Sequence, residues 1–297
     1  MRRLLALLPL TPLAAYDCSC EDPCMNWEFS ISPVVWQVHE EGLDYAKGKQ
    51  INQDWAWGVR LNLAYDTCYS GIIELDWTYY RTREKSTCQN NSPIWSHPTL
   101  ESTTYDRMRA DTLILLNLLD LRLGAAYSPT CFLTLQPYLS LSTIWIDQDF
   151  IIHGQNESIS LDQVKMKNDF WGIGPKIGLK TLWALCSGFS LFGNVDATLF
   201  YGDFSIRQKE KILYTTNATS TFESKDSFWL SRVYLNAILG VDWEWIFCSG
   251  DYSIGFAAGW ETLFFFGQNQ LRRPSAHLPE KGDLTIQGLT LTASFGF

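Results

Sequence analysis

Residues 229–247 read Trp-Leu-Ser-Arg-Val-Tyr-Leu-Asn-Ala-Ile-Leu-Gly-Val-Asp-Trp-Glu-Trp-Ile-Phe, and their alternation decides the fold. Val233, Leu235, Ala237, Leu239, Val241, Trp243 and Trp245 fall on one face. Arg232, Tyr234, Asn236, Gly240, Asp242 and Glu244 fall on the other. A two-residue period belongs to an extended strand, because a helix returns to one face only every three to four positions. Asp54–Asp66 repeats the pattern, with Trp55, Trp57, Val59, Leu61, Leu63 and Tyr65 opposite Ala56, Gly58, Arg60, Asn62 and Ala64. So does Cys131–Gln148, where Leu133, Leu135, Leu139, Leu141 and Trp145 oppose Thr134, Gln136, Tyr138, Ser140 and Ser142.

Working outward, ten such segments are predicted: 25–38, 54–66, 69–82, 108–127, 131–148, 168–185, 188–206, 228–247, 251–266 and 284–297. Their connections alternate in length. Four are very short (Asp66–Tyr69, Ser128–Thr130, Cys186–Ser187, Cys248–Gly250). Five are long (39–53, 83–107, 149–167, 207–227, 267–283). Short turns at one end and long loops at the other are the pattern of a transmembrane antiparallel up-and-down β-barrel with short periplasmic turns and long extracellular loops. A soluble sandwich has no reason to collect its long loops at one end. The expectation is therefore all-β, a barrel of about ten strands, with twelve as the alternative count.

The composition agrees. The chain has 297 residues, of which only 19% are charged and 14% are aromatic, and its net charge is −9. So many large apolar groups exclude disorder. The acidic balance argues against a nucleic-acid partner. Mean hydropathy is −0.08, as expected where a lipid face and a water face average out. Trp55, Trp57, Tyr79, Trp145, Trp171, Tyr201 and Trp229 fall at loop-side strand ends. Trp27, Tyr65, Tyr127, Trp183, Trp243, Trp245, Phe295 and Phe297 fall at turn-side ends. Those sets predict two interfacial belts.

Arg2 and Arg3 precede the apolar stretch Leu4–Leu13, and small Ala14 and Ala15 follow, so 1–15 reads as a signal peptide. A lipoprotein is disfavoured, because Tyr16 and Asp17 precede Cys18. The expected division is then a Cys-rich periplasmic segment at 16–24 and a barrel over 25–297. Export suits the eight cysteines. Cys18, Cys20 and Cys24 precede the first strand, Cys68, Cys131, Cys186 and Cys248 fall at or beside the four short turns, and Cys88 falls in a long loop. Seven are thus expected at the periplasmic rim, as candidate disulfides within the barrel floor or to neighbouring envelope proteins. Their connectivity is left open.

Charged residues on the water face cannot sit in lipid and must line the lumen. They are Glu28, Glu74, Asp76, Asp120, Asp196, Asp242, Glu244 and Glu261, with Arg60, Arg122, Lys176, Lys180 and Arg232. Ten strands make a narrow barrel. Either these charges pair and plug it, or the acidic surplus lines a narrow, cation-preferring pore. The histidines His39, His97, His153 and His277 fall in or beside predicted loops without metal-ligand spacing. No nucleophile elbow, phosphate loop or metal-binding Cys pair is present. No catalytic residue, metal or cofactor is expected, and the chain is not read as an enzyme.

Leu185-Cys186-Ser187-Gly188-Phe189-Ser190-Leu191-Phe192-Gly193 resembles a turn-and-strand block of the Legionella-type major outer membrane protein family, which is also found in chlamydia-like bacteria. Asp169-Phe170-Trp171-Gly172-Ile173-Gly174-Pro175-Lys176-Ile177-Gly178-Leu179 is similar to its Trp-Gly-x-Gly-Pro-x-x-Gly-Leu block. Trp145-Ile146-Asp147-Gln148 and the run from Cys131 to Tyr138 are similar to two more. The close matches cover about 131–205, and the three clustered N-terminal cysteines depart from the usual member. The resemblance implies an outer-membrane barrel with a porin-like or structural role, and supports cross-linking to other Cys-rich envelope proteins. Phe295 and Phe297 on the last alternating strand resemble the signal read by the outer-membrane assembly machinery. Within the glycine block, Gly172, Gly174 and Gly178 share one face, for strand bending or to admit neighbouring side chains. A diffusion pore and a structural or adhesive envelope protein with a plugged lumen remain in competition, with an outer-membrane barrel enzyme as the third reading. The expected partners are outer-membrane lipid, the assembly machinery and Cys-rich envelope proteins. No oligomeric state is read.

Overall fold

The computed structural model describes residues 27–47, 49–51, 53–67, 71–91, 104–247, 252–271 and 282–297. Thirteen strands are formed among them. They are β1 (Trp27–Glu40), β2 (Asp44–Ala46), β3 (Lys49–Gln50), β4 (Trp55–Asp66), β5 (Gly71–Asn91), β6 (Tyr105–Ala125), β7 (Tyr127–Thr130), β8 (Leu133–Gln155), β9 (Ile159–Cys186), β10 (Phe189–Tyr214), β11 (Thr219–Phe247), β12 (Tyr252–Asn269) and β13 (Gly282–Gly296). Ten of them pair antiparallel in sequence order, β1-β4-β5-β6-β8-β9-β10-β11-β12-β13. β13 pairs back onto β1 and closes the barrel. The closure reaches the last residue, where Trp27 and Phe297 exchange backbone hydrogen bonds of 3.0 and 2.9 Å. The three remaining strands are local: β2 and β3 form a small hairpin inside the first long connection, and β7 lies along the foot of β8.

All ten predicted segments are barrel strands, but several run further than the alternation indicated. The loops expected at 149–167 and 207–227 shrink to the turns 156–158 and 215–218. β5 likewise continues from the expected end at 82 to Asn91. The cause is an exchange of faces. In the lower part of β8, Leu139, Leu141 and Trp145 point outward to lipid, and Ser140 and Ser142 point inward. Above Trp145 the apolar residues Ile146, Phe150 and Ile152 are buried inside, and Asp147 and Asp149 face outward. A reading keyed to apolar-out stops where the sign of the pattern inverts. Cys88, expected in a loop, is therefore a buried residue of β5, and His39 and His153, expected beside loops, are strand residues of β1 and β8.

The turn expected at Ser128–Thr130 also moves. β7 carries the chain on to Thr130, and the reversal falls at 131–132, so that Cys131 occupies the turn itself. Between β9 and β10 the reversal takes two residues, Ser187 (φ 54°) and Gly188 (φ 80°). Two left-handed residues in succession make the tight turn whose twist matches a hairpin. A side chain at Gly188 would also meet the Glu244 carbonyl oxygen at 2.4 Å.

Both aromatic belts are present. In the upper one, Trp171 and Trp229 meet edge-on at 6.2 Å, Tyr201 packs on Trp229 at 5.3 Å, and Trp55 on Trp260 at 5.9 Å. In the lower one, Trp27 packs on Tyr65 at 4.8 Å, Tyr252 on Phe295 at 6.1 Å, and Phe295 on Phe297 at 5.8 Å. Large rings on the outer wall at two levels mark the two edges of the hydrocarbon layer.

Candidate functional site: the barrel lumen

From the periplasmic end upward, the lumen holds a charged layer, an apolar layer and a polar layer beneath an inserted hairpin. The charged layer joins nine of the predicted lumen residues into one network. Arg60 grips Glu261 with both terminal nitrogens, Nη2 to Oε1 at 2.8 Å and Nη1 to Oε2 at 3.2 Å. Its Nε lies 3.6 Å from Asp76. Arg122 reaches Glu74 at 3.3 Å, Asp76 at 3.4 Å and Asp120 at 3.3 Å. Lys180 holds both oxygens of Glu74, at 2.6 and 2.7 Å. Lys176 contacts Asp120 and lies 3.8 Å from Asp196. Five carboxylates thus face four cations. The ions are also hydrogen-bonded, as burial demands. Thr290 donates to Glu261 at 2.7 Å, Asn236 to Asp196 at 3.1 Å, and Gln136 to Glu74 at 3.2 Å.

The other predicted lumen charges stand outside this network. Glu28 and Glu244 are exposed at the periplasmic mouth, with Asp242 half-buried beside them. Arg232 lies higher, its guanidinium over the Phe204 ring at 5.2 Å. Sequence reasoning missed Tyr138, whose hydroxyl lies 3.0 Å from Asn194 Oδ1 and 3.1 Å from Asp196 Oδ2, and whose ring lies under Arg122 at 5.5 Å. Gly178 makes room for that ring, since a Cβ there would stand 2.3 Å from Tyr138 Cζ. Gly172 does the same for Phe170 and Phe200. Gly172 and Gly178 therefore admit neighbouring side chains, the second of the two roles that the sequence left open, whereas Gly174 lies against the Leu199 carbonyl of the next strand.

Above the ions, the lumen is filled by apolar side chains. Val34, Trp36 and Val38 of β1, Tyr80 of β5, Ile114, Leu116 and Leu118 of β6, Ile144 and Ile146 of β8 and Phe170 of β9 are all buried in one cluster. Phe200 and Phe204 of β10, Tyr234 of β11, Leu263 and Phe265 of β12, and Leu284 and Ile286 of β13 complete it, and Ala56 of β4 packs against it. Every barrel strand contributes, so the cluster spans the cross-section. Its rings touch: Phe170 and Phe204 at 4.4 Å, Tyr234 and Phe265 at 4.7 Å, Trp36 and Tyr80 at 5.5 Å. The signal was present in the sequence as aromatic residues at water-face positions.

Higher still, Glu40 accepts from Gln148 at 2.6 Å, and Asn168 donates to Gln148 and to the Gln268 carbonyl at 2.9 Å. Glu40 lies three residues beyond Gln37, the neighbour of belt residue Trp55, and so stands above the membrane. Burial pushes its carboxyl up to about 8, and the Gln148 hydrogen bond offsets only part of that. The β2–β3 hairpin closes the top. Leu43, Tyr45, Ala46 and Ile51 pack into a second apolar cluster with Cys88, Met108, Phe150, Ile152, Val164, Met166 and Ile212. Tyr45 and Ser86 hydroxyls meet at 2.9 Å, and Gln37 donates to the Gln53 carbonyl at 2.8 Å.

Among the described residues, no three His, Cys, Asp or Glu side chains are grouped to hold a metal ion. His39 and His153 sit on β1 and β8, strands separated around the barrel by β4, β5 and β6 on one side, and are not brought together. Cys131 is exposed and Cys88 buried, both as free thiols. Cys18, Cys20, Cys24, Cys68 and Cys248, and His97 and His277, lie outside the described residues, as does the side chain of Cys186.

The profile of the family described as Legionella pneumophila major outer membrane protein precursor matches residues 20–297. The chain belongs to that family. It is an outer-membrane β-barrel, in accord with the closed sheet and the two belts. Among solved structures it is similar to the outer membrane protease OmpT of Escherichia coli, at 12% identity over 92% of this chain and 96% of that one, with a TM-score of 0.48. A major outer membrane protein of Thermus thermophilus is similar at 11% identity over 91% and 99%, TM-score 0.39. OprG of Pseudomonas aeruginosa is similar at 12% over 93% and 97%, TM-score 0.29. At these values the likenesses carry no functional argument. No curated protein matches the chain.

Proposed function

We propose that this family member is a structural, non-conducting component of the outer membrane, with a sealed lumen instead of a diffusion pore. The observation that carries the reading is the apolar cluster to which all ten barrel strands contribute. An ion crossing it would lose its hydration without compensation, at a cost of several kcal/mol or more. The paired layer below and the hairpin above add two further barriers. Planar bilayers containing the folded protein should show no steady openings. Reproducible conductance steps would overturn the proposal.

The structural role includes covalent anchoring through cysteines of the periplasmic rim. The exposed thiol of Cys131, at a periplasmic turn, supports it. The partners would be Cys-rich envelope proteins, joined after delivery of the barrel by the assembly machinery. Native envelopes run without reductant should give high-molecular-weight species that collapse on reduction, and a monomer band alone would count against anchoring. A second reading, surface adhesion, is favoured by the tall extracellular wall of β5–β11. No catalytic step forms part of either reading.

A further inference from the structure

The outer wall above the upper belt carries a charge pattern that the lumen does not explain. On adjacent strands β9, β10 and β11, Lys167 is registered opposite Arg207, and Arg207 opposite Lys225. Lys165 and Lys209 form the next opposed pair above, and Lys211 follows on β10. All six side chains are exposed. Like charges placed directly across a sheet repel. Local carboxylates relieve only part of this. Asp149 binds Lys167 at 2.8 Å and Glu223 binds Lys209 at 3.0 Å. Asp169 lies on the row beneath, opposite Ser205. Among the described residues, neither Arg207 nor Lys225 has a carboxylate within salt-bridge distance. Six cations thus gather on one outward strip, with Asp149 and Glu223 paired within it and Asp147, Asp169 and Asp203 on the rows beneath.

The height of the strip identifies the anion. On β9, Lys167 stands four residues above Trp171, and on β11 Lys225 stands four above Trp229. At about 3.4 Å per residue and a tilt of about 40°, that is roughly 10 Å above the edge of the hydrocarbon layer. Phospholipid headgroups occupy only about 5–8 Å there. Anionic groups at this level would be carried on an extended saccharide headgroup. We propose that the strip formed by Lys167, Arg207 and Lys225, with Lys165, Lys209 and Lys211 above, is a docking surface for the phosphate groups of the outer-leaflet glycolipid. Arg207 at the centre of the row offers a planar fork of donors suited to phosphate.

The test uses the full folded chain in a neutral detergent, titrated with purified rough lipopolysaccharide and followed by its melting temperature. Wild type should gain several degrees. In the double variant Arg207→Ser/Lys225→Ser the glycolipid concentration for half the shift should rise at least five-fold. The charge-matched control Lys47→Ser/Lys49→Ser, altered in the β2–β3 hairpin, should behave as wild type. Without glycolipid, the Arg207/Lys225 variant should melt no lower than wild type, because the cross-strand repulsion it relieves offsets the attraction of Arg207 for Asp169. Equal weakening in both double variants would reduce the effect to net charge and overturn the proposal. It would also be overturned by an equal shift with dephosphorylated glycolipid, or with phosphatidylglycerol micelles, which supply phosphate at phospholipid height.

Discussion

Substituting Arg60 by Met tests whether the lumen is dry. Arg60 and Glu261 are 201 positions apart, Glu261 is fully buried, and their shortest contact is 2.8 Å. At that separation the attraction is about 1.5 kcal/mol in bulk water and about 6 kcal/mol at an effective dielectric constant of 20. In a water-filled lumen, Arg60→Met would cost about 0.2–1 kcal/mol, as for exposed pairs. In a sealed one it strands Glu261, and the cost becomes about 3–5 kcal/mol. Only the Thr290 hydroxyl is left on Glu261 among the contacts described, and it brings no positive charge. Glu261→Met should cost less, because Arg60 keeps Asp76 and the Thr78 hydroxyl, 2.9 Å from its Nε. The double variant Arg60→Met/Glu261→Met replaces two ions by two apolar groups and should recover most of the loss. Urea unfolding in lipid vesicles, followed by tryptophan fluorescence, gives the coupling energy of this cycle. A coupling below about 1 kcal/mol would refute a sealed charged layer, even if bilayers showed no conductance.

Other predictions follow from individual contacts. Gly178→Ala should shift the unfolding midpoint by the equivalent of about 1–3 kcal/mol, because its Cβ displaces the Tyr138 ring that caps Asp196. Between about pH 4.5 and 8 the folded protein keeps a proton on Glu40 that the unfolded chain releases, so stability should fall as pH rises through that window. Glu40→Gln should flatten this dependence and melt higher than wild type at pH 8. Peptide mapping after maleimide treatment of the folded protein should find Cys131 modified and Cys88 protected until unfolding, and the reverse order would contradict their placement.

Much of this barrel was legible because strand alternation is local. The alternating segments, the turn after β9 (one residue on from the expected Cys186–Ser187) and the inward direction of Arg60, Arg122 and Glu261 need only a period of two and the rule that charge avoids lipid. The tall strand extensions were not legible. The same alternation continues through Phe150, Ile152, Val164 and Met166, but with the apolar face turned inward, and sequence period carries no sign. Cys88 and His153 were misplaced for that reason.

Whether the lumen conducts was likewise undetermined by the pattern. Inward charge is compatible with a lined pore or a plug, and the choice depends on how far side chains must reach. Sequence by itself determined the alternating segments, the two belts and which residues share a face, because neighbours a few positions apart set those, while closure fixed the count at ten. Only closure of the sheet decided that Trp36, Tyr80, Phe170 and Tyr234 meet in one cluster, and that Arg60 finds Glu261. A ten-stranded circumference is narrow enough for opposite walls to touch, and that diameter is a property of the closed barrel, not of any one strand.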